Sequence, residues 1–312
     1  MTGVLVRADA TAIPLADDTV DLVVTSPPYF ALRSYRDGDE HYDGQIGSEA
    51  TPQEFLEALW AATAEMVRVV KPSGSIFVNL GDKYATNNPH QDGQRRSSRV
   101  GYKSLMGLPW RYAIGCIDDL GLILRSEIVW SKPNGLPEPV ADRVRRSHEQ
   151  WFHFTLEPHY FSATDEIREQ YLSDSSGFNG QQKDYGEHER RDGGRVGVGE
   201  QNALGKVPGS VWSIPSEPLK VPDSLGVDHF AAFPQEWPRR LILGWSPQDG
   251  TVLDPFVGTG TVPMVARALG RTGIGVDLSA DYLRLADWRI NESGHAAKTR
   301  ERTNRERQQV LL

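Results

Sequence analysis

The chain has 312 residues and 38% hydrophobic content, enough for one large α/β domain with a smaller module. Its single cysteine, Cys116, excludes an internal disulfide and any multi-cysteine zinc site, and no apolar run approaches the roughly 20 residues needed to cross a bilayer. The formal net charge of −8 does not exclude a polyanionic partner, because such binding depends on where cations cluster rather than on their sum.

From the N-terminus, Val4-Leu5-Val6 reads as a short strand, and the first residues lack the apolar core of a signal peptide; a reducing cytoplasm suits the chain. Residues 20–25 form a buried strand leading into Ser26-Pro27-Pro28-Tyr29. Thr51-Pro52-Gln53-Glu54 opens a helix with a hydroxyl cap, proline at the first position and an acid in the first turn. Phe55, Leu59, Ala62 and Met66 continue it, and Lys71-Pro72-Ser73-Gly74 stops it before a strand over 75–80. Residues 83–104 are polar and basic, the signature of a long mobile loop carrying Arg95, Arg96 and Arg99. A helix follows over 110–120 and a strand over 122–130. Residues 151–155 and 159–161 read as paired strands at one sheet edge. Between them and the preceding strand lies a second basic cluster, Arg143, Arg145 and Arg146.

Composition then changes. From Ser173 to Gly209 the chain is Gly, Ser, Gln, Asp and Arg with few large apolar residues, the composition of a poorly packed insert; it includes Arg190, Arg191 and Arg195. A helix over 234–245, a strand at Val252-Leu253, a helix over 261–269, a strand over 273–276 ending at Asp277 and a helix over 280–290 complete the pattern. Strands alternating with helices of this length indicate a mostly parallel sheet. The tail from 296 is charged.

Two loops carry chemistry. Asp254-Pro255-Phe256-Val257-Gly258-Thr259-Gly260-Thr261 leaves one short strand, and its glycines let backbone approach a ligand closely. In folds of this kind the ligand sits outside the carboxyl ends of the strands, and an acid ending the next strand, here Asp277, can accept from ribose hydroxyls. Taken alone, Asp277 reads equally as a helix cap, and the basic clusters equally as solvated loops. Ser26-Pro27-Pro28-Tyr29 is a loop stiffened by fixed proline φ.

Together, in this order, the two loops resemble the hallmark motifs of S-adenosylmethionine-dependent DNA amino-methyltransferases, with the order of the beta group. The resemblance covers about residues 1–160 and 210–290 and extends to the strings 74–82, 125–133 and 229–234. It implies a Rossmann-like methyltransferase fold of class α/β, with a circularly permuted motif order and a small target-recognition insert. The implied division is a catalytic half (1–161), a target-recognition region (162–228), a cofactor half (229–295) and a charged tail (296–312).

The implied catalytic residues are Ser26, Pro27, Pro28 and Tyr29. The Ser26 hydroxyl and the Pro27 carbonyl accept from the exocyclic amine, and Tyr29 stacks on a base flipped from the duplex. The implied cofactor residues are Asp9, Asp254, Pro255, Phe256, Gly258, Gly260, Thr261, Asp277 and Leu278. Arg7-Ala8-Asp9 departs from the family's more usual Gly-Asp. His148 resembles a family position near the active site, although a structural histidine fits it equally. Cys116 sits in a helix pattern and lacks the Pro-Cys context of methylation at ring carbon 5.

The expected product is N4-methylcytosine, because serine leads the Ser-Pro-Pro-Tyr loop; N6-methyladenine is the first alternative. Two others are a non-catalytic binding module on the same fold and an RNA or protein amine methyltransferase. The latter usually carries asparagine at the position of Ser26. Implied partners are S-adenosyl-L-methionine, double-stranded DNA and a cognate restriction endonuclease acting separately, in a prokaryotic or phage setting. The oligomeric state stays open between monomer and homodimer.

Overall fold

The computed structural model describes residues 3–31, 36–37, 40–41, 45–86, 100–171, 202–219, 221–222, 225–227, 233–291, 299 and 301–304. Its centre is an eight-stranded sheet. In chain order the strands and helices are β1 (Gly3–Arg7), β2 (Val20–Thr25), a two-stranded ribbon β3 (Arg36–Asp37) and β4 (Glu40–His41), α1 (Pro52–Val69), β5 (Val70–Leu80), α2 (Leu108–Asp118), β6 (Ile123–Ser131), β7 (His148–Thr155), β8 (Val211–Ser213), α3 (Glu236–Trp245), β9 (Thr251–Asp254), α4 (Thr261–Ala268), β10 (Thr272–Asp277) and α5 (Ala280–Asn291).

The sheet order is β1-β10-β9-β2-β5-β7-β6-β8, and every pairing is parallel except those of β7, which runs against both β5 and β6. The chain therefore winds outward in one direction from β2 and in the other from β9. Where two neighbouring parallel strands lead away in opposite directions, their carboxyl ends leave a crevice. Here the crevice opens between β2 and β9, which pair through Leu22 with Val252 and Val23 with Leu253. The two loops singled out in the sequence leave the ends of these two strands.

Both faces of the sheet are covered, so the apolar residues of β2 run consecutively, Leu22-Val23-Val24, and are buried on both faces rather than at alternate positions. Val23 of β2 faces a cluster with Phe55, Leu59, Met66 and Tyr112 from α1 and α2. Leu22 and Val24 face Trp151, Trp237, Leu241, Val262 and Val265, with α3 and α4 above them. Helix α1 forms where its apolar stripe predicts. Thr51 accepts from the Glu54 N–H, the Glu54 carboxylate accepts from the Thr51 N–H, and Pro52 stands at the first helical position. Cys116 is fully buried in the same core, and burial pushes its thiol up to about 12.

Two expectations need correction. Strand β7 is central rather than at an edge. Residues 159–161 form no strand, because both edges of β7 are already bonded to β5 and β6; Tyr160 instead packs edge-on against His153. The region 162–228 also contributes to the main body. Its Val211–Ser213 strand extends the sheet beside β6, and Ile167, Trp212 and Ile214 are core residues. Among the described residues, no helix is long and apolar enough to cross a membrane.

Candidate active site

The crevice is closed by a hydrogen bond between residues 229 positions apart. Thr25 at the end of β2 donates its hydroxyl to Asp254 Oδ1 at 2.7 Å, at the end of β9. The same oxygen accepts the Phe256 N–H at 3.1 Å. Asp254 is 1% exposed, and burial pushes its carboxyl up to about 7, with the Asp277 charge adding to the rise against the lowering pull of its two donors. A carboxyl buried in this way gains from a cation brought to it.

The glycine loop then turns. Gly258 has φ +45°, and a Cβ there would meet nothing nearer than the Phe256 carbonyl at 3.9 Å, so it borders open space. Gly260 has φ +76°, but a Cβ there would lie 2.8 Å from the Cβ of Ala286, so this glycine lets α4 start close against α5. Asp277 at the end of β10 accepts from the Gly258 N–H and the Ser279 N–H, both at 2.9 Å, and so braces the loop from the neighbouring strand. Asp9, just beyond β1, holds a turn by accepting from the Thr11 N–H and hydroxyl at 2.8 Å each. Phe256 is partly buried and Leu278 36% exposed, giving the crevice apolar walls, while Pro255 is buried. The Thr261 hydroxyl is taken up by the buried Arg289 at 2.7 Å.

On the other side, Ser26 and Tyr29 converge on Asn79 of β5. Ser26 donates to Asn79 Oδ1 at 3.3 Å, and the Tyr29 hydroxyl lies 2.9 Å from the same oxygen. Asn79 is 1% exposed, and its amide donates to the Gln150 carbonyl at 3.0 Å, which turns Oδ1 toward the 26–29 loop. The Tyr29 hydroxyl is also 2.8 Å from Glu149 Oε2, and Glu149 pairs through its other oxygen with Lys132. Lys132 sits 4.0 Å above the Trp130 ring. Burial first, and the Glu149 charge second, raise the Tyr29 phenol well above its ordinary range, so it stays protonated. Its ring lies against Gly81, where a Cβ would come within 2.7 Å of it, and Gly47 (φ +99°) passes under the Tyr29 backbone and Pro28. Pro27 is buried and Pro28 partly so.

Of the cationic residues, Arg143 pairs with Glu138 at 2.8 Å and stacks 3.7 Å over Tyr84. Arg145 is exposed and donates to the Gly135 carbonyl at 3.1 Å, and the Arg146 N–H donates to Glu138. Arg95, Arg96, Arg99, Arg190, Arg191 and Arg195 lie outside the described residues.

Comparison with known proteins is decisive at this point. The model of the N6/N4 methyltransferase family, described as DNA methylase, matches residues 20–287. The chain belongs to this DNA methylase family. The methylase is 37% identical over 289 residues to the type II methyltransferase M.XycI of Xanthomonas campestris pv. cyanopsidis, covering 88% of this chain and 83% of that one. It is 34% identical over 297 residues to M.Cfr9I of Citrobacter freundii, covering 90% and 85%. Its fold matches that of the PvuII DNA methyltransferase (cytosine-N4-specific), with a TM-score of 0.66 at 19% identity, over 98% of this chain and 92% of the other. A Thermus thermophilus protein, a putative DNA modification methylase complexed with S-adenosyl-L-methionine, matches with a TM-score of 0.58 at 25% identity, over 95% and 94%. The methylase uses S-adenosyl-L-methionine as cofactor. The residues present fit that group: a buried carboxyl at Asp254, an open turn at Gly258, and apolar side chains at Phe256 and Leu278.

Three residues of the methylase site escaped the sequence reading. Asn79 and Glu149 reach Tyr29, and Lys132 reaches Glu149, only through strand register, with Trp130 opposite Glu149 and Asn79 opposite Trp151. His148, which the resemblance pointed to, is exposed; its neighbour Glu149 makes the contact.

Proposed function

We propose that this DNA methyltransferase methylates the exocyclic N4 amine of a cytosine flipped out of duplex DNA, as the modification enzyme of a restriction system. The observation that carries the reading is the polarity of the Ser26 hydroxyl. Ser26 donates to Asn79 Oδ1 at 3.3 Å, an oxygen that can only accept, which commits the Ser26 proton and leaves its oxygen available as an acceptor.

An exocyclic amine is a poor nucleophile because its lone pair is delocalised into the ring. Two acceptors on its hydrogens favour a more tetrahedral nitrogen with the lone pair free. Ser26 Oγ is one acceptor and the Pro27 carbonyl the other, and Pro27-Pro28 hold both in place. Tyr29, its hydroxyl tied to Asn79 and Glu149, presents a fixed ring against which the flipped base stacks. Asp254 takes the ammonium of the cofactor, Asp277 and Asp9 its ribose and adenine side, and Phe256 and Leu278 its apolar surface, with Pro255, Gly258, Gly260 and Thr261 shaping the loop. When bound, the cofactor supplies a methyl group activated by its sulfonium. The protein's contribution is alignment, and no covalent enzyme intermediate is required. Serine at the head of the loop favours cytosine.

Long-read sequencing of DNA from cells expressing the protein reports the modified base and its context together. N4-methylcytosine in one recurring sequence is the expected result. N6-methyladenine there overturns the choice of base, and unmodified DNA overturns the activity.

A further inference from the structure

The loop 132–147 joins β6 to β7 at the edge of the sheet that carries Ser26 and Tyr29. Its base is closed by the Lys132 N–H donating to the Ser147 carbonyl at 2.8 Å, and the Lys132 side chain pairs with Glu149, itself bonded to Tyr29. The base of this loop is therefore joined to the 26–29 loop through Lys132, Glu149 and Tyr29.

Its two most apolar side chains touch almost nothing. Leu136 and Val144 are each 88% exposed, more than any other large hydrophobic residue described; the next is Val211 at 64%. A scattered surface leucine needs no explanation. These two differ because the loop around them is built to be rigid. Pro133, Pro137 and Pro139 fix three φ angles, and Pro137 also restricts Leu136 before it. Arg145 donates to the Gly135 carbonyl at 3.1 Å, while Glu138 accepts from Arg143 at 2.8 Å and from the Arg146 N–H at 3.3 Å. These bonds lace the two legs together beside Leu136 and Val144. Asp142 pairs with Lys103 at 2.8 Å on the neighbouring loop, whose Tyr102 is 59% exposed.

Charge identifies the occupant. The chain carries a net −8, yet residues 132–147 hold four cations and two acids; with Lys132 paired to Glu149 and Arg143 to Glu138, Arg145 and Arg146 carry the loop's positive charge. Both acids are engaged, Glu138 by Arg143 and Asp142 by Lys103. Two exposed apolar side chains on the facing legs of a stiff, cationic loop are suited to base faces, with the loop's cations toward a nucleic-acid backbone. Apolar side chains pushed between base steps are a known means of unstacking a duplex.

We propose that Leu136 and Val144 form the wedge that enters the base stack and occupies the gap left by the extruded base. This rests on the reading of the protein as a methyltransferase acting on a flipped base. The loop reports wedge occupancy to the site through Lys132, Glu149 and Tyr29.

The test compares methyl transfer to two duplexes carrying the sequence found by sequencing, one fully paired and one with the target base mispaired. Leu136→Ala/Val144→Ala should lose about 10- to 100-fold on the paired duplex and far less on the mispaired one, where unstacking is already cheap. Leu136→Met should retain activity on both, and calorimetry with S-adenosylmethionine should show each variant binding cofactor as the wild type does. Equal loss on both duplexes, or no loss on either, overturns the wedge. So does a change in sedimentation without a change in the paired-to-mispaired ratio, which marks the patch as a contact between copies. Wild type that transfers to neither duplex brings down the flipped-base reading itself, and the wedge with it.

Discussion

Asp254→Asn separates the ionisation of this carboxyl from its shape. Asparagine keeps the Oδ1 that accepts from the Thr25 hydroxyl and the Phe256 N–H, but it never ionises. In the cofactor-free protein the carboxyl is pushed from 3.8 up to about 7 by burial. Between about pH 4 and pH 7 the folded state keeps this proton while the unfolded chain has lost it. The group's stabilising contribution is therefore complete at low pH and disappears as pH rises through 7. From pH 5 to the folded value is about two units, and each unit is worth about 1.4 kcal/mol. Urea unfolding should show the variant gaining on wild type by about 3 kcal/mol between pH 5 and pH 8. Cofactor binding reverses the advantage, because the ligand's ammonium needs the ionised form. Wild-type affinity for S-adenosylmethionine should rise by about tenfold per unit from pH 5 toward pH 7, a range in which an α-amino group stays charged. The variant should bind weakly at every pH in that range. A stability gap that does not change with pH, or equal affinity in the two proteins, would refute the reasoning.

Other substitutions test the remaining parts of the site. Ser26→Ala and Tyr29→Ala should depress methyl transfer while leaving cofactor affinity nearly intact in calorimetry, since both act on the base; full turnover in either variant removes its assigned role. Asp277→Ala should weaken cofactor binding by about 1–3 kcal/mol, the cost of leaving polar groups unpaired, and unchanged affinity removes its assignment. Replacing Arg95, Arg96 and Arg99 by alanine should flatten the slope of log DNA affinity against log salt, each phosphate contact contributing about 0.9; an unchanged slope means these arginines are solvated. Replacing Arg190, Arg191 and Arg195 should relax the methylated sequence in genome-wide maps, since each bidentate contact to guanine discriminates by about 1–3 kcal/mol. The same motif methylated at the same rate removes the 162–228 region from sequence recognition.

Much of the framework was legible because it is written locally. Proline pairs, glycine turns and apolar runs mark where strands end, so the 26–29 and 254–261 loops could be placed on strand ends without coordinates. What joins them was not local. The Thr25–Asp254 bond depends on β2 lying beside β9, a neighbour far along the chain. Asn79, Lys132 and Glu149 each look like an ordinary polar residue at a strand or its end, and only the antiparallel register of β5, β7 and β6 brings Asn79 and Glu149 to one phenol, with Lys132 behind Glu149. Gly260 shows the same limit in reverse. Its sequence setting points to close approach to a ligand, and the structure adds a second, non-local demand, since a Cβ there would meet Ala286. Residues 159–161 had the composition of a strand but no free edge to pair with.

The central claim is that Ser26 presents an exocyclic cytosine amine to a methyl donor. It is tested most directly by incubating duplex DNA with the protein and deuterium-labelled S-adenosylmethionine, then digesting to nucleosides for mass spectrometry. Labelled N4-methyldeoxycytidine is expected with wild type, and its near disappearance with Ser26→Ala. Label appearing in N6-methyldeoxyadenosine, or undiminished in the Ser26→Ala sample, would contradict it.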